Sequence, residues 1–297
     1  MNDDCLDINR FAAAVERKRL NCHRIIVMRR GRKVAEHGWI PEGPHEMFSV
    51  SKSFVSVAVG MAEETGKLST ESRAADFFRD IVPNPGERLA ALTMGHLLSM
   101  TRGHNEFSRP ETVAEALSQP LFWQPGTRFM YDNGSTFLAS AMFTRAMGIT
   151  VRDFLCERLF APMGIAAPKW PESKDGHTVG ATDLVLSTNE MALFGQLLLD
   201  GGIWQGQRLI PREWIDHATR PHVRTGISGT GVVEANCDLG YGLCFWPCRD
   251  GAFRADGKNG QFLVVLPRKQ AVVAINSDEP RHIEVLQTIW DEVLPLL

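Results

Sequence analysis

Several features are rare or missing in the 297-residue chain, and each absence excludes some kinds of site or partner. It has only two tyrosines, and its cysteines have no paired spacing along the sequence, at positions 5, 22, 156, 237, 244 and 248. That spacing is typical of free, mostly buried thiols rather than of a disulfide framework or a zinc site. Basic blocks are also missing, because 32 basic and 35 acidic residues are mixed along the chain and give a formal charge of -3. We therefore expect a small-molecule substrate, and neither a nucleic acid nor a membrane, as the partner.

The N-terminus lacks the pattern of an export signal. The stretch from Met1 to Asp7 is acidic, and no long apolar run follows it. A signal peptide or a membrane anchor needs such a run, so we expect a cytoplasmic protein. The histidines are scattered and form no ligand set, so we expect no metal and no cofactor. The sequence makes no prediction of the oligomeric state.

The hydrophobic patterns that are present predict an α+β fold. A hairpin is predicted over residues 25–35, with its turn at Gly31. Further strands are predicted over residues 242–246, 253–255, 262–266 and 271–275. Helical spacing is found over residues 50–62, 93–100, 136–147, 151–159, 189–199 and 282–297.

Strands at both ends and helices in the middle predict a sheet domain interrupted by an insertion. We predict an antiparallel sheet flanked by N- and C-terminal helices, built from residues 1–75 and 230–297. Residues 76–229 would form a mostly helical subdomain, with the active site between the two.

The first candidate for chemistry is Ser49, at the start of an apolar helix, with Lys52 three residues later. Side chains at i and i+3 lie on one helical face, so this hydroxyl and amine can meet. The apolar neighbours of Lys52 predict a poorly solvated amine whose pKa is lowered, which suits a base. The alternative is that Ser49 caps the helix and Lys52 is a surface charge.

The second candidate is the segment Tyr131-Asp132-Asn133, at a junction between a loop and a helix. A phenol near a lysine ammonium can shift toward phenolate, and an amide can orient both the lysine and a substrate carbonyl. The alternative is a helix N-cap at Asn133 with Tyr131 packed in the core.

The third candidate is the segment Lys258-Asn259-Gly260-Gln261, directly before the strand predicted over 262–266. A lysine at a strand start supplies a fixed positive charge, and glycine lets the backbone approach a ligand closely. The alternative is an ordinary β-turn, which the same residues favour. A Gly-rich stretch over 226–231 lacks the lysine of a phosphate-binding loop and is interpreted as a mobile surface loop.

These three motifs, in this order, resemble those of the serine β-lactamase and penicillin-binding protein superfamily. The closest resemblance is to the class C β-lactamase-related branch, which includes D-Ala-D-Ala carboxypeptidases, family eight esterases and 6-aminohexanoate-dimer hydrolases. Further segments resemble that branch at residues 92–103, 125–127, 194–202 and 240–243.

The resemblance implies a β-lactamase/transpeptidase-like fold and a serine hydrolase that works through an acyl-enzyme on small esters or amides. It implies that Ser49 is the nucleophile, Lys52 its base, Tyr131 the proton shuttle and Asn133 the positioning amide. Lys258 would keep Tyr131 acidic and meet a substrate carboxylate. The backbone N–H groups of Ser49 and Gln261 would form the oxyanion hole, with Asn259 and Gly260 beside them.

The chain departs from this pattern at Asn259, where threonine or serine is usual. That change removes a hydroxyl associated with carboxylate binding, so we expect short esters to be favoured over penicillins. A weak β-lactamase activity stays open. The alternative from another functional class is a binding or sensor module that is acylated without turnover.

Overall fold

The computed structural model of the chain describes residues 5–225 and 239–297. The Gly-rich stretch at 226–231, Cys237, the boundary at residue 230 and the first four residues lie outside these ranges. The other five cysteines are free: Cys22, Cys244 and Cys248 are buried, Cys156 is half-buried and Cys5 is exposed. The prediction of free, mostly buried thiols is confirmed for these five.

The helices and strands follow one another in an α+β arrangement. The α-helices are α1 (Asn9–Lys18), α2 (Ser51–Glu63), α3 (Ala74–Phe77), α4 (Glu87–Ala90), α5 (Met94–Leu98), α6 (Val113–Ser118), α7 (Asn133–Met147), α8 (Val151–Leu155), α9 (Thr188–Leu199), α10 (Arg212–Ala218) and α11 (His282–Glu292). The strands are β1 (Cys22–Arg29), β2 (Arg32–Gly38), β3 (His45–Glu46), β4 (Val185–Leu186), β5 (Ile203–Trp204), β6 (Gln207–Arg208), β7 (Trp246–Pro247), β8 (Phe253–Gly257), β9 (Gln261–Leu266) and β10 (Ala271–Ser277).

Six of the strands form one sheet in the order β2-β1-β10-β9-β8-β7. Every pairing in it is antiparallel. The predicted hairpin and the three strands before α11 are therefore confirmed. The strand predicted over 242–246 is wrong except at Trp246, because Cys244 adopts a left-handed backbone with φ of 61° that interrupts an extended conformation.

The central strand β10 separates two apolar cores. Val272 and Ala274 belong to the core that contains α2 and α9, whereas Val273 and Ile275 pack in the core with α1 and α11. This alternation follows from the period of two along a strand, and it places helices on both faces of the sheet. The predicted α+β fold with flanking terminal helices is confirmed.

The predicted division into domains stays a prediction. Within the proposed helical insertion, α9 packs directly on β10, β9 and β1. Part of that insertion therefore belongs to the layer that covers the sheet. Across residues 5–225 and 239–297, no helix combines the length and the apolar character that crossing a bilayer would require.

Helix α2 is the element that positions the candidate nucleophile. Eleven of its thirteen residues are buried, as its apolar spacing predicts. A short 3-10 turn over Phe48–Val50 precedes it, so Ser49 lies where the helical segment begins. The strands β3 and β4 pair next to this point and join residues 45–46 to residues 185–186.

Candidate active site

Ser49 lies at the entrance of α2, directly after a residue with an unusual backbone. Phe48 has a φ of 45°, a left-handed conformation that few non-glycine residues adopt. Neither cap position of this region, Met47 or Val50, makes a side-chain capping bond. Ser49 is therefore not a helix cap, and its hydroxyl is available for chemistry. Its backbone N–H lies in the first helical turn, where such groups have no intrahelical acceptor.

The amine of Lys52 is held by three acceptors. Its Nζ lies 2.9 Å from the Oγ of Ser49, 2.7 Å from the Oδ1 of Asn133 and 2.7 Å from the carbonyl oxygen of Ala181. The two carbonyl-type oxygens can only accept hydrogen bonds. A neutral amine would donate its two hydrogens to them and direct its lone pair at Ser49, which is the arrangement of a general base.

Burial of Lys52 makes the neutral amine accessible near neutral pH. The side chain is 1% exposed. Desolvation lowers the pKa of Lys52 to about 7, and the positive charge of Arg109 adds to the lowering. The desolvated lysine that its apolar neighbours predict is thus present.

Tyr131 and Asn133 flank the N-cap of α7. The cap is Asp132, whose carboxylate accepts a hydrogen bond from the backbone N–H of Ser135. The alternative in which Asn133 caps this helix is therefore wrong. Asn133 is instead the first helical residue, and its amide oxygen is bonded to Lys52.

A hydrogen-bond network around Asp132, which the sequence did not predict, fixes this junction. Asp132 also accepts bonds from the N–H and the hydroxyl of Ser108, at 2.9 and 2.6 Å. It forms a buried ion pair of 3.1 Å with Arg102, whose side chain is 2% exposed. A carboxylate saturated in this way fixes the backbone on which Tyr131 and Asn133 lie. The only indication of this network in the sequence was that aspartate is a residue type that often caps helices.

Tyr131 lies over the amine, with the Nζ of Lys52 5.0 Å from its ring centroid. Its ring stacks on Trp246, with centroids 6.1 Å apart. Burial raises the pKa of Tyr131 above its ordinary value, and a hydrogen bond with the Ser49 side chain offsets part of the rise. The direction of this shift is opposite to the predicted acidic phenol, because burial disfavours the phenolate.

The residues of segment 258–261 face two different parts of the molecule. Residues 258–260 form the turn between β8 and β9, and Lys258 lines the cavity that contains Ser49. Asn259 instead donates a 2.7 Å hydrogen bond to Asp278, and Gly260 accepts one from Ser277. The amide of Gln261 bonds to the backbone of Ser277.

The expected places of Asn259, Gly260 and Gln261 beside the substrate are thus corrected, because none of them lines the Ser49 cavity. Asn259 and Gly260 have left-handed backbones, with φ of 62° and 86°, and the turn that contains them leads the chain into β9. The residue that approaches the nucleophile is Gly257, where a Cβ would lie 2.4 Å from the Met47 carbonyl oxygen. The end of β8 therefore passes beside the entrance of α2.

The cavity above Ser49 has a volume of about 380 Å³. Its lining consists of Phe48, Ser49, Phe107, Arg109, Tyr131, Asn133, Thr182, Trp246, Asp256, Gly257, Lys258 and His282. Aromatic rings and charged groups thus surround one serine, which is typical of a small-molecule site. Within the part of the chain that the structure describes, no group of three His, Cys, Asp or Glu side chains could hold a metal ion.

Comparison with known proteins finds a family and relatives that span most of the chain. The family described as Beta-lactamase matches residues 8–293. A 6-aminohexanoate-dimer hydrolase of Paenarthrobacter ureafaciens is 20% identical, over 89% of this chain and 75% of its own. A beta-lactamase of Yersinia enterocolitica is 26% identical, over 75% of this chain and 62% of its own.

Solved structures share the fold. A family VIII carboxylesterase superposes with a TM-score of 0.73 at 15% identity, covering 99% of this chain and 98% of its own. An octameric penicillin-binding protein homologue from Pyrococcus abyssi superposes with a TM-score of 0.74 at 17% identity, covering 96% of this chain and 77% of its own. At identities this low, the superposition establishes the fold and does not define the substrate.

Proposed function

The chain belongs to the beta-lactamase family, and from that premise we propose that it is a serine hydrolase that cleaves small esters or amides through an acyl-enzyme at Ser49. The observation that carries the proposal is the set of three acceptors around the Lys52 amine. Two of them take hydrogens, so the remaining position of the amine is directed at the nucleophile. The expected resemblance to the serine β-lactamase and penicillin-binding protein superfamily is confirmed.

In the acylation step, neutral Lys52 takes the proton of the Ser49 hydroxyl, and Oγ bonds to the substrate carbonyl carbon. The carbonyl oxygen gains the negative charge, which the N–H of Ser49 stabilises. We place the second donor at the end of β8, at Gly257 and Lys258, because both of these residues line the Ser49 cavity and Gln261 does not.

The leaving group departs with a proton that Tyr131 relays. Its raised pKa keeps the phenol protonated, so it donates its hydrogen to the leaving oxygen or nitrogen and recovers one from Lys52. Water then attacks the acyl carbon, with Lys52 again as the base, and Ser49 is released with its proton. Proteins similar to this chain include ones named as a 6-aminohexanoate-dimer hydrolase, a beta-lactamase and a carboxylesterase, and these names support our choice of small esters and amides as the substrate class.

The test is mass spectrometry of the intact protein after treatment with a fluorophosphonate. We expect one adduct on the wild type and none on Ser49→Ala, with a loss of about a thousandfold or more in ester hydrolysis. The control is Ser118→Ala, an exposed serine outside the cavity, which should be labelled like the wild type.

An adduct that persists in Ser49→Ala would contradict the assignment of the nucleophile. A burst of product equal to the enzyme concentration, without further turnover, would instead favour the binding or sensor module. Steady release of p-nitrophenol from p-nitrophenyl butyrate supports the hydrolase.

A further inference from the structure

Arg102 and Asp132 form an ion pair that is enclosed by the protein. Their side chains are 2% and 1% exposed, whereas more than half of each side chain is exposed in a pair such as Arg79 with Asp76. Solvent screens the charges of an exposed pair, so such a pair has little effect on its surroundings. Inside the protein the screening is weaker, and each charge acts strongly on its neighbours. The balance between Arg102 and Asp132 can therefore affect a titratable group nearby.

The carboxylate of Asp132 lies between two residues that contact the Lys52 amine. It follows Tyr131, whose ring centroid is 5.0 Å from Nζ of Lys52, and precedes Asn133, whose Oδ1 is 2.7 Å from the same atom. Desolvation lowers the pKa of Lys52 to about 7, and the negative charge of Asp132 acts against it, since a carboxylate favours the ammonium form. An uncompensated charge on Asp132 would thus keep the base protonated.

Other titratable side chains also act on the Lys52 amine. Cys244 and Asp183 act to raise its pKa, and Arg109 acts to lower it, alongside the larger effect of desolvation. Burial raises the pKa of Cys244 to about 12, so this thiol is neutral near pH 7. Asp132 and Asp183 therefore supply the negative charge that these groups place near the amine.

The two serines beside Asp132 hold its carboxylate in place. Its Oδ1 accepts hydrogen bonds from the N–H and the hydroxyl of Ser108, and its Oδ2 accepts from the N–H and the hydroxyl of Ser135, at 2.9 and 3.1 Å. All of these groups act as donors, and an ionised carboxylate is the form that accepts with both oxygens. Removing Arg102 would therefore leave a buried anion near Lys52 without its counter-charge.

The guanidinium of Arg102 is itself held in one position. Its Nη2 donates to Oε1 of Gln119 at 2.8 Å, and its Nη1 lies 3.4 Å from the carbonyl oxygen of Ala116. Gly134 leaves room for it, because a Cβ at that residue would lie 3.2 Å from Nη1. The positive charge is therefore a fixed part of the surroundings of Asp132.

We propose that Arg102 is a positioning residue of the Ser49 site, which neutralises Asp132 and so keeps the Lys52 amine available as the base near neutral pH. This inference rests on the proposed function, in which Lys52 takes the proton of the Ser49 hydroxyl. It gives Arg102 an electrostatic role in addition to fixing the backbone at the start of α7.

The experiment follows the pH dependence of Ser49 acylation in a double-mutant cycle. The rate constant for labelling of Ser49 by a fluorophosphonate is measured by mass spectrometry of the intact protein, from about pH 5 to about pH 10 at constant ionic strength. The variants are Arg102→Met, Asp132→Asn and the two combined. Asparagine is a good helix N-cap, so Asp132→Asn removes the charge while keeping an acceptor for the cap. Circular dichroism and melting curves establish that each variant is folded.

In Arg102→Met we expect the midpoint of the acidic limb to move up by about one pH unit, with the rate recovering at alkaline pH. Asp132→Asn should move the midpoint down, because Arg102 then acts on Lys52 as an unbalanced cation. The double variant should return it toward the wild-type midpoint, since both charges are absent. Arg102→Lys keeps the positive charge and should stay closer to the wild type than Arg102→Met.

The matched control is Arg145→Gln. Arg145 also pairs with an aspartate, Asp80, but it lies near the other end of α7. That position is about 20 Å along the helix from Asp132, which is beyond the range of charge effects at ordinary ionic strength. The midpoint should be unchanged in this variant.

A uniform loss of rate at every pH in Arg102→Met, with the wild-type midpoint, would overturn the proposal, since a purely structural role predicts that result. If Arg102→Met does not fold, an unchanged midpoint in Asp132→Asn would overturn it alone. Failure of the proposed function would look different, because Ser49 of the wild type would then not be labelled at any pH.

Discussion

Two short motifs of this chain are built around a lysine. One is the start of the helical segment, where Ser49 in the 3-10 turn precedes Lys52 in α2, and the other is the turn between β8 and β9. In α2 the sequence spacing and the final geometry agree, with Nζ of Lys52 2.9 Å from Oγ of Ser49. In the β8–β9 turn only Lys258 lines the cavity, while Asn259 and Gln261 bond toward β10.

The two motifs differ because their conformations depend to different degrees on residues that are distant in the sequence. Helical spacing fixes the relative direction of side chains three residues apart. A turn has several conformations, and its left-handed residues decide which side chains lie on which side. The first motif can therefore be placed from local sequence, whereas the second needs the strands and Ser277 that surround it.

The largest expected effect tests the α2 turn. Lys52→Met should reduce kcat/KM by about a hundred- to ten-thousandfold, because it removes the general base while keeping the buried volume. In the wild type, Lys52 is protonated below its pKa of about 7, and its lone pair is then lost. The rate should therefore fall about tenfold for each pH unit below that value and level off above it.

The measurement is kcat/KM for p-nitrophenyl butyrate from about pH 5 to about pH 9 in buffers of constant ionic strength. A profile without any titration near pH 7 would contradict a lowered pKa at Lys52. Comparable activity in Lys52→Met would remove it as the base altogether.

An intermediate effect tests where the β8–β9 turn approaches the nucleophile. In Gly257→Ala the new methyl group would lie 2.4 Å from the Met47 carbonyl oxygen, so β8 and the start of α2 must separate. A separation of about 1 Å at a reacting centre costs about a hundredfold in kcat. Steady-state kinetics should show this loss, and Gly43→Ala, where nothing lies within 4 Å of the added Cβ, should not. Equal activity of the two variants would place the approach elsewhere.

The smallest effect tests the outward side of the same turn. Asn259→Ser introduces the hydroxyl-bearing residue of the related motif, but residue 259 does not line the cavity. Hydrolysis should stay within about twofold, while loss of the bond to Asp278 and a less suitable left-handed residue lower the free energy of unfolding by about 1 kcal/mol. Urea denaturation and steady-state kinetics measure the two effects. A tenfold gain on a carboxylate-bearing ester would show that residue 259 reaches the substrate after all.

Tyr131 and Asn133 are intermediate between the two motifs in how much of their role could be predicted from the sequence. Their residue types and order indicated the site, yet the sequence left a helix cap at Asn133 open as the alternative and predicted an acidic phenol at Tyr131. The structure gives the cap to Asp132 and raises the pKa of Tyr131. Both differences come from burial and from partners such as Arg102, 30 positions away, that no local pattern identifies.

The sequence by itself determined the α+β fold, the antiparallel strands at both ends and the i, i+3 meeting of Ser49 with Lys52. Those properties follow from the periodic spacing of residues that are close together in the sequence. Only the tertiary structure brought the Ala181 carbonyl to the amine of Lys52, turned Asn259 away and placed Arg109 in the lining of the Ser49 cavity. Such contacts join residues far apart in the chain, so their directions and their effect on the pKa of Lys52 are decided by packing and desolvation.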